Sequence, residues 1–161
     1  MARQLWFLRH GDADPHGARD DHERRLTARG EEQSVLAGRA LATLGLTFAH
    51  VFTSPKIRAR ETARLAAAAL ATEPVEHAAL ASGFDRSDAL ELLAAITTDE
   101  RLLVVGHEPD FSQVVHDLTG ARVDFKKGGV AGVRMEGTRG GELMVLLRPR
   151  ELAAIAAASG A

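Results

Sequence analysis

The sequence predicts an α/β fold with three layers, α/β/α, built on a mostly parallel sheet with an antiparallel edge strand. Short apolar runs that end in glycine or polar residues, typical of buried strands, alternate with stretches whose apolar residues recur at helical spacing. Two further runs near the end of the chain, separated by glycines, predict a hairpin at the sheet edge. The length of 161 residues suits one domain, residues 1–161, without a linker or internal repeat.

The first quarter of the chain predicts a strand, a long polar loop and a helix. The strand is the apolar run 5–8, and the loop follows at 12–25, a length that is typical of functional or mobile loops. Thr27 is a good N-cap for the helix, and Gly45 is a good end for it. The predicted apolar stripe of this helix is Leu36, Ala37, Ala40, Leu41 and Leu44.

The middle of the chain continues the alternation of strands and helices. A second strand is predicted at 50–53, and Pro55 suits the first turn of the helix after it. The apolar face of that helix is predicted to be Ala59, Ala63, Ala66 and Leu70. A weaker signal around Val75 indicates a short strand, and Asp88 is a candidate cap for a third helix. That helix would bury Ala89, Leu92, Leu93 and Ile96. The run 102–105 is the clearest buried strand in the chain.

The last third predicts a helix, the hairpin and a terminal helix. Pro109 suits the start of the first of these helices. Its apolar residues are Phe111, Val114, Val115 and Leu118. The two strands of the hairpin are expected at 130–135 and 143–147, and the terminal helix from about Arg150.

Composition and charge argue against several classes of protein. The net charge of −2 disfavours a general nucleic-acid binder, and the absence of cysteine excludes disulfides and cysteine-ligated metals. No segment approaches the roughly 20 apolar residues of a membrane span, and the N-terminal apolar run is too short for a signal peptide. His16 and His22 in the polar loop match no standard spacing of metal ligands. We therefore expect a cytoplasmic protein that binds no nucleic acid, membrane or metal.

Three predicted strand ends carry residues that suggest a function. Arg9 and His10 follow the first strand, Ser54 and Arg58 follow the second, and His107 follows a third. Because the carboxyl ends of parallel strands lie at one edge of a sheet, these residues should converge. Arginines and helix N-termini favour a tetrahedral dianion such as phosphate. A neutral histidine can attack phosphorus, and a second, protonated histidine would donate to the phosphoryl oxygens.

These residues lie in ordered motifs. Residues 8–13 are Leu-Arg-His-Gly-Asp-Ala, 54–63 are Ser-Pro-Lys-Ile-Arg-Ala-Arg-Glu-Thr-Ala, and 105–109 are Val-Gly-His-Glu-Pro. With the Leu-Thr and Gly of 26–30, they resemble the Arg-His-Gly signature and later motifs of the histidine phosphatase superfamily, which has the phosphoglycerate mutase-like fold. The resemblance extends over residues 3–147, and the length and first motif are most similar to the short SixA-type phosphohistidine phosphatases.

The resemblance implies a role for each matched residue. His10 would be the transiently phosphorylated nucleophile. The phosphate pocket would be completed by Arg9, Arg58 and His107. Gly11 would let the backbone approach the substrate closely. Arg24 would be a further substrate-binding arginine, with the adjacent Arg25 as the alternative.

A general acid is not identified by the motifs. Larger relatives use a carboxylic acid from the region between the second and third motifs to protonate a departing alkoxide. The candidates here are Glu108 and Asp85, each of which is also explained as an exposed carboxylate or a helix cap. Phosphohistidine has a good leaving group and needs little proton donation, so a missing acid favours it over sugar phosphates.

The sequence therefore predicts a hydrolase, a phosphohistidine phosphatase without metal or cofactor, acting on a protein such as a histidine phosphotransfer domain. The short span 70–101 leaves no room for an inserted cap over the pocket. Lys126 and Lys127 near its rim are interpreted as a solvated pair. A phosphatase of small substrates (phosphomonoesters, nucleotides or polyphosphate) and an idle phosphate-binding module are the alternatives.

Overall fold

Six strands form one sheet in a computed structural model that describes residues 2–17, 19–137 and 139–158. The strands are β1 (Gln4–Arg9), β2 (His50–Thr53), β3 (Pro74–Glu76), β4 (Arg101–Gly106), β5 (Val130–Glu136) and β6 (Gly140–Leu147). Their order is β3-β2-β4-β1-β5-β6, and β1 to β4 run parallel to one another. β5 is antiparallel to both of its neighbours, β1 and β6.

In the described part of the chain, five α-helices cover the two faces of this sheet. They are α1 (Ala28–Thr43), α2 (Ile57–Ala67), α3 (Arg86–Leu93), α4 (Asp110–Thr119) and α5 (Pro149–Ala158). Buried residues of α3 and α4 share one apolar cluster with the sheet, and buried residues of α1, α2 and α5 share another. The structure thus confirms the three-layer α/β/α fold. Within the described ranges, every helix is too short or too polar to span a bilayer.

Strand β1 contributes to both clusters because successive side chains of a strand point to opposite faces. Leu5 and Phe7 belong to the cluster on the α3–α4 side, and Trp6 and Leu8 belong to the one on the α1–α2 side. All four side chains are at most 5% exposed. This burial explains why the strand is a continuous apolar run that stops abruptly at Arg9.

The predicted hairpin is present at the sheet edge, in a specific arrangement. Its first strand, β5, pairs with β1, so the antiparallel strand lies one position in from the edge. The outermost strand, β6, therefore runs in the same direction as β1 to β4.

Several predicted boundaries are wrong by a few residues. The N-cap of α3 is Asp85 and not Asp88: each carboxylate accepts a hydrogen bond from the other residue's backbone N–H, at 2.9 and 3.1 Å. Pro55 precedes α2 by two residues, because the Ser54 hydroxyl accepts from the Lys56 N–H in a turn before the helix. Leu44, predicted to be part of the apolar stripe, is the exposed C-cap of α1.

Two apolar residues that were assigned to helices lie just beyond them. Leu70 follows the end of α2, and Ile96 follows the end of α3. Both are nevertheless buried in the apolar clusters. The apolar pattern therefore predicted burial correctly and overestimated helix length.

The packing of α1 on α2 depends on Gly38. A Cβ at this position would lie 2.2 Å from the backbone oxygen of Ala66, which cannot move without shifting α2. We expect Gly38→Ala to lower the free energy of unfolding by about 1–3 kcal/mol, whereas helix propensity alone would raise it by about 1 kcal/mol. Urea unfolding followed by circular dichroism gives the sign, with Ala42→Gly at an exposed position of α1 as the propensity control. A stabilised Gly38→Ala variant would contradict the close contact.

Candidate active site

Three strand ends lie side by side at one edge of the sheet. In the parallel register, Arg9 is opposite Gly106, and Thr53 is opposite Val105. The next residue of each outer strand continues the pairing: the N–H of His10 donates to the Gly106 carbonyl at 3.0 Å, and the N–H of Ser54 donates to the Val105 carbonyl at 2.9 Å. His10, Ser54 and His107 are thereby fixed next to one another, as the sequence predicts.

A pocket of about 290 Å³ opens at this edge. Its lining includes Arg9, His10, Arg24, Arg58, His107 and Glu108. Arg24 is buried and the adjacent Arg25 is exposed, so the structure places Arg24 in the pocket. Among the described residues, no group of three or more histidine, aspartate or glutamate side chains is arranged to hold a metal ion.

His10 has the tautomer that a nucleophile needs. Its Nδ1 lies 2.7 Å from the carbonyl oxygen of Gly11. Because a carbonyl can only accept, Nδ1 carries the proton, and the lone pair is on Nε2. Burial lowers the pKa of His10 to about 3; the hydrogen bond to Gly11 opposes this, and the charges of Arg58, Arg9 and Arg24 add smaller lowering effects. Nε2 is therefore unprotonated at neutral pH.

Arg58 lies beside His10 on the first turn of α2. Its Nε is 3.4 Å from His10 Nε2, and its Nη1 donates to the backbone carbonyl of Asp21 at 2.6 Å. The guanidinium is thus anchored at one end and faces the reacting nitrogen at the other. A planar guanidinium held in this way suits bidentate contact with phosphoryl oxygens.

Asp21 is a functional residue that the sequence analysis missed. Its carboxylate lies 2.7 Å from Lys56 Nζ, 3.1 Å from Arg24 Nη1 and 3.3 Å from Arg58 Nη2. The hydrogen bond from Lys56 is the main cause that keeps the pKa of Asp21 well below its ordinary value. The hydrogen bond from Arg24 and the charges of Arg58 and Lys56 act in the same direction. Asp21 therefore holds three cations in place around the pocket. It lies in the polar loop 12–25, where nothing local distinguishes it from other acidic residues.

His107 is buried beside His10, with the ring centroids 5.2 Å apart. Its Nε2 is 2.8 Å from the Ser54 hydroxyl, which accepts from the Lys56 N–H and has no other acceptor for its own proton among the described residues. This arrangement leaves the ring proton of His107 on Nδ1. Burial, followed by the nearby His10 and Arg58, lowers the pKa of His107 strongly. Burial among cations therefore disfavours protonated His107, and a protonated second histidine stays a prediction for the pocket with a phosphoryl dianion bound.

Two buried donors at the pocket have no partner among the described residues. They are Nε of Arg9 and Nδ1 of His107. Arg9 is otherwise held by the Phe125 carbonyl, which accepts from its Nη1 at 2.7 Å. Buried polar atoms are nearly always hydrogen-bonded in proteins, so two unsatisfied donors from residues that line one pocket indicate an anion site.

The remaining predicted site residues have structural partners. Glu108 lines the pocket, and its Oε1 accepts from the Ser112 N–H at 2.7 Å. Asp85 is not part of the pocket lining and caps α3. The N–H of Gly11 donates to the Thr62 hydroxyl at 3.1 Å, so it is not free for a substrate. Gly11 is instead required by packing, because a Cβ there would lie 2.5 Å from the Gly30 carbonyl oxygen of α1.

Comparison with known proteins identifies the family. The family model of the histidine phosphatase superfamily (branch 1) matches residues 5–82. An uncharacterized protein of Picosynechococcus sp. (strain PCC 7002) is 35% identical over 162 residues, which cover 92% of this chain and 98% of the relative. The chain belongs to the histidine phosphatase superfamily.

Solved structures of this superfamily share the fold over nearly the whole chain. The protein histidine phosphatase SixA, complexed with tungstate, aligns with a TM-score of 0.81 and 25% identity and covers 92% of this chain and 99% of its own. A phosphoserine phosphatase from Entamoeba histolytica, in complex with 3-phosphoglyceric acid, aligns with a TM-score of 0.70 at 14% identity, covers 93% and 99%, and shows the fold alone. The chain is thus a SixA-like phosphatase with the phosphoglycerate mutase-like fold.

The lowered pKa values of the two pocket histidines predict how stability depends on pH. The ordinary pKa of histidine is about 6.5, so His10 and His107 become protonated in the unfolded chain below this pH. In the folded chain both rings stay neutral at these pH values, and His10 does so down to about pH 3. Stability is therefore lost as the pH falls through 6.5, by at most about 1.4 kcal/mol per pH unit for each histidine.

Urea unfolding between pH 7.5 and 5 in phosphate-free buffers measures this slope. We expect His107→Asn to reduce the slope and the exposed-site control His116→Asn to leave it unchanged. Equal slopes for the wild type and His107→Asn would show that His107 takes up a proton in the folded pocket.

Proposed function

We propose that the chain removes the phosphoryl group from phosphohistidine in a protein, through a covalent intermediate on His10. The proposal is carried by one feature of the pocket: it offers an unprotonated histidine nitrogen as a nucleophile but few groups that could protonate a leaving group. His10 presents an unprotonated Nε2 next to Arg58. Glu108 is the sole carboxylate among the described lining residues, and one of its oxygens is engaged by Ser112. Such a site suits a substrate whose leaving group needs little proton donation.

Phosphoryl transfer in this pocket proceeds in two balanced steps. Nε2 of His10 forms a bond to phosphorus while the bond from phosphorus to the substrate imidazole breaks, and that ring leaves neutral if its other nitrogen carries a proton. Arg9, Arg58 and the Nδ1–H of His107 stabilise the phosphoryl oxygens in this step. Water then attacks phospho-His10, which releases inorganic phosphate and restores the lone pair on Nε2.

The surroundings of the pocket support a macromolecular substrate. The segment between α2 and β4 supplies only β3, a short helical turn and α3, and none of them lines the pocket. A histidine on the surface of another protein, such as a histidine phosphotransfer domain, can therefore reach His10. The absence of cysteines supports a cytoplasmic location for this reaction.

Glu108 favours a second candidate function. A carboxylic acid in the pocket lining could protonate an alkoxide, which is what a small phosphomonoester would require. The superfamily fold also carries a phosphoserine phosphatase. The two candidate functions therefore differ in whether Glu108 has to protonate the leaving group.

The covalent step predicts a labelled enzyme. Rapid quenching with radiolabelled phosphohistidine protein should trap an acid-labile, base-stable phosphoryl group on the wild-type chain. His10→Ala should abolish the label because no other described ring nitrogen next to Arg58 is unprotonated and free to attack. His116→Ala, at an exposed position, is the matched control. A label that survives in His10→Ala, or a wild type that hydrolyses esters but not the phosphohistidine protein, would refute the proposal.

The role of Glu108 is tested by comparing two substrates. We expect Glu108→Gln to lose at least about ten times more activity on an alkyl phosphate than on the phosphohistidine protein, since only the alkoxide needs a proton from the enzyme. Steady-state kcat measured on both substrates gives this ratio. Asp85→Asn serves as the control, because a helix cap affects both substrates alike through stability. Equal losses for Glu108→Gln would show that Glu108 also acts on the imidazole leaving group.

A further inference from the structure

A second cavity lies directly beside the catalytic pocket. It has a volume of about 540 Å³, and it shares Arg9 and Lys127 with the pocket of His10. Its other walls come from α1, from the loop before β5 and from the start of α5. We refer to this cavity as the basic groove. A substrate whose phosphoryl group lies on Arg9 would extend into it.

The charge of the basic groove is opposite to that of the whole chain. Its lining has six cationic side chains, Arg9, Arg29, Lys126, Lys127, Arg148 and Arg150, against two carboxylates, Asp12 and Asp124. The whole chain has a net charge of −2. A local excess of positive charge on an acidic protein attracts an acidic partner and orients it during encounter.

Part of this positive charge is not neutralised within the chain. Three of the groove cations have a salt bridge: Lys126 pairs with Asp124 at 2.9 Å, Lys127 with Asp12 at 3.5 Å and Arg148 with Glu151 at 2.9 Å. Arg29 and Arg150, in contrast, are exposed and have no salt bridge among the described residues. Two free guanidinium groups on the walls of one groove are available to an external anion.

We propose that the basic groove binds acidic residues next to the phosphorylated side chain of a protein substrate. The inference rests on the proposed function and adds a recognition element to it. Apart from Arg9, the cations are exposed and come from α1, the loop before β5 and the start of α5, which suits carboxylates spaced along a polypeptide. A compact second phosphate would instead need buried donors that converge on one point, as they do around His10. The groove thus selects the carrier of the phosphoryl group, and the pocket selects the group itself.

The test uses two synthetic phosphohistidine peptides, one with Asp and Glu flanks and one with Ser and Gln flanks. For the wild type we expect kcat/KM to be about tenfold higher for the acidic peptide, through KM, and we expect raised salt to reduce this preference. The double variant Arg29→Glu, Arg150→Glu should abolish or reverse the preference. Arg39→Glu is the matched control, since it is exposed on α1 ten residues from Arg29 and lines neither cavity.

A second measurement is independent of phosphohistidine chemistry. The unphosphorylated acidic peptide should inhibit turnover of a small aryl phosphate by the wild type, and the double variant should lose this inhibition at least about tenfold. If the wild type spares both phosphohistidine peptides but retains this inhibition, the proposed function fails and the groove inference stands. Turnover of both peptides with equal kcat/KM, or unchanged inhibition of the double variant, overturns the inference. Equal weakening of a small bisphosphate in the double variant would also overturn it, in favour of a second phosphate site.

Discussion

The parallel pairing of β2, β4 and β1 is the constraint on which the site depends. Backbone hydrogen bonds place His10 beside Gly106 and Ser54 beside Val105. Three distant motifs are thereby joined at the edge where their strands end. Phe7 and Leu8 pack β1 on opposite faces, one in each apolar cluster, so His10 directly follows a fully buried stretch of the sheet. Because the core is closely packed and rigid, it fixes the position of His10 accurately.

The same burial determines the electrostatics of the pocket. Removing two imidazole rings from water among arginines favours their neutral forms, which gives His10 its lone pair and leaves His107 with one proton to donate. Two of the arginines, Arg24 and Arg58, have the Asp21 carboxylate as their counter-ion within the chain. The pocket is thus organised for a dianion before the dianion binds, so little reorganisation is needed at the moment of reaction.

The local sequence pattern predicted the secondary structure and the placement of the motifs. It did not predict the roles of side chains that depend on contacts with residues distant in the sequence. The strands, the hairpin and the convergence of the strand ends follow from apolar periodicity and the geometry of parallel sheets. The roles of Asp21 and Gly11 do not, because Asp21 is reached by cations from α2, and Gly11 is required by the approach of Gly30. The cap of α3 was misplaced because Asp85 and Asp88, three residues apart, both satisfy the local rule and in fact cap each other.

The geometry separates the recognition of the phosphoryl group from the recognition of its carrier. Around His10, the side chains of Arg24, Arg58 and His107 are buried and hydrogen-bonded within the chain, which suits a fixed tetrahedral group. The free cations of the basic groove are exposed, which suits a flexible partner and long-range attraction. Arg9 and Lys127 line both cavities, so a ligand on one side contacts the same side chains as a ligand on the other. A shared fold can therefore serve different carriers when the groove changes and the pocket stays the same.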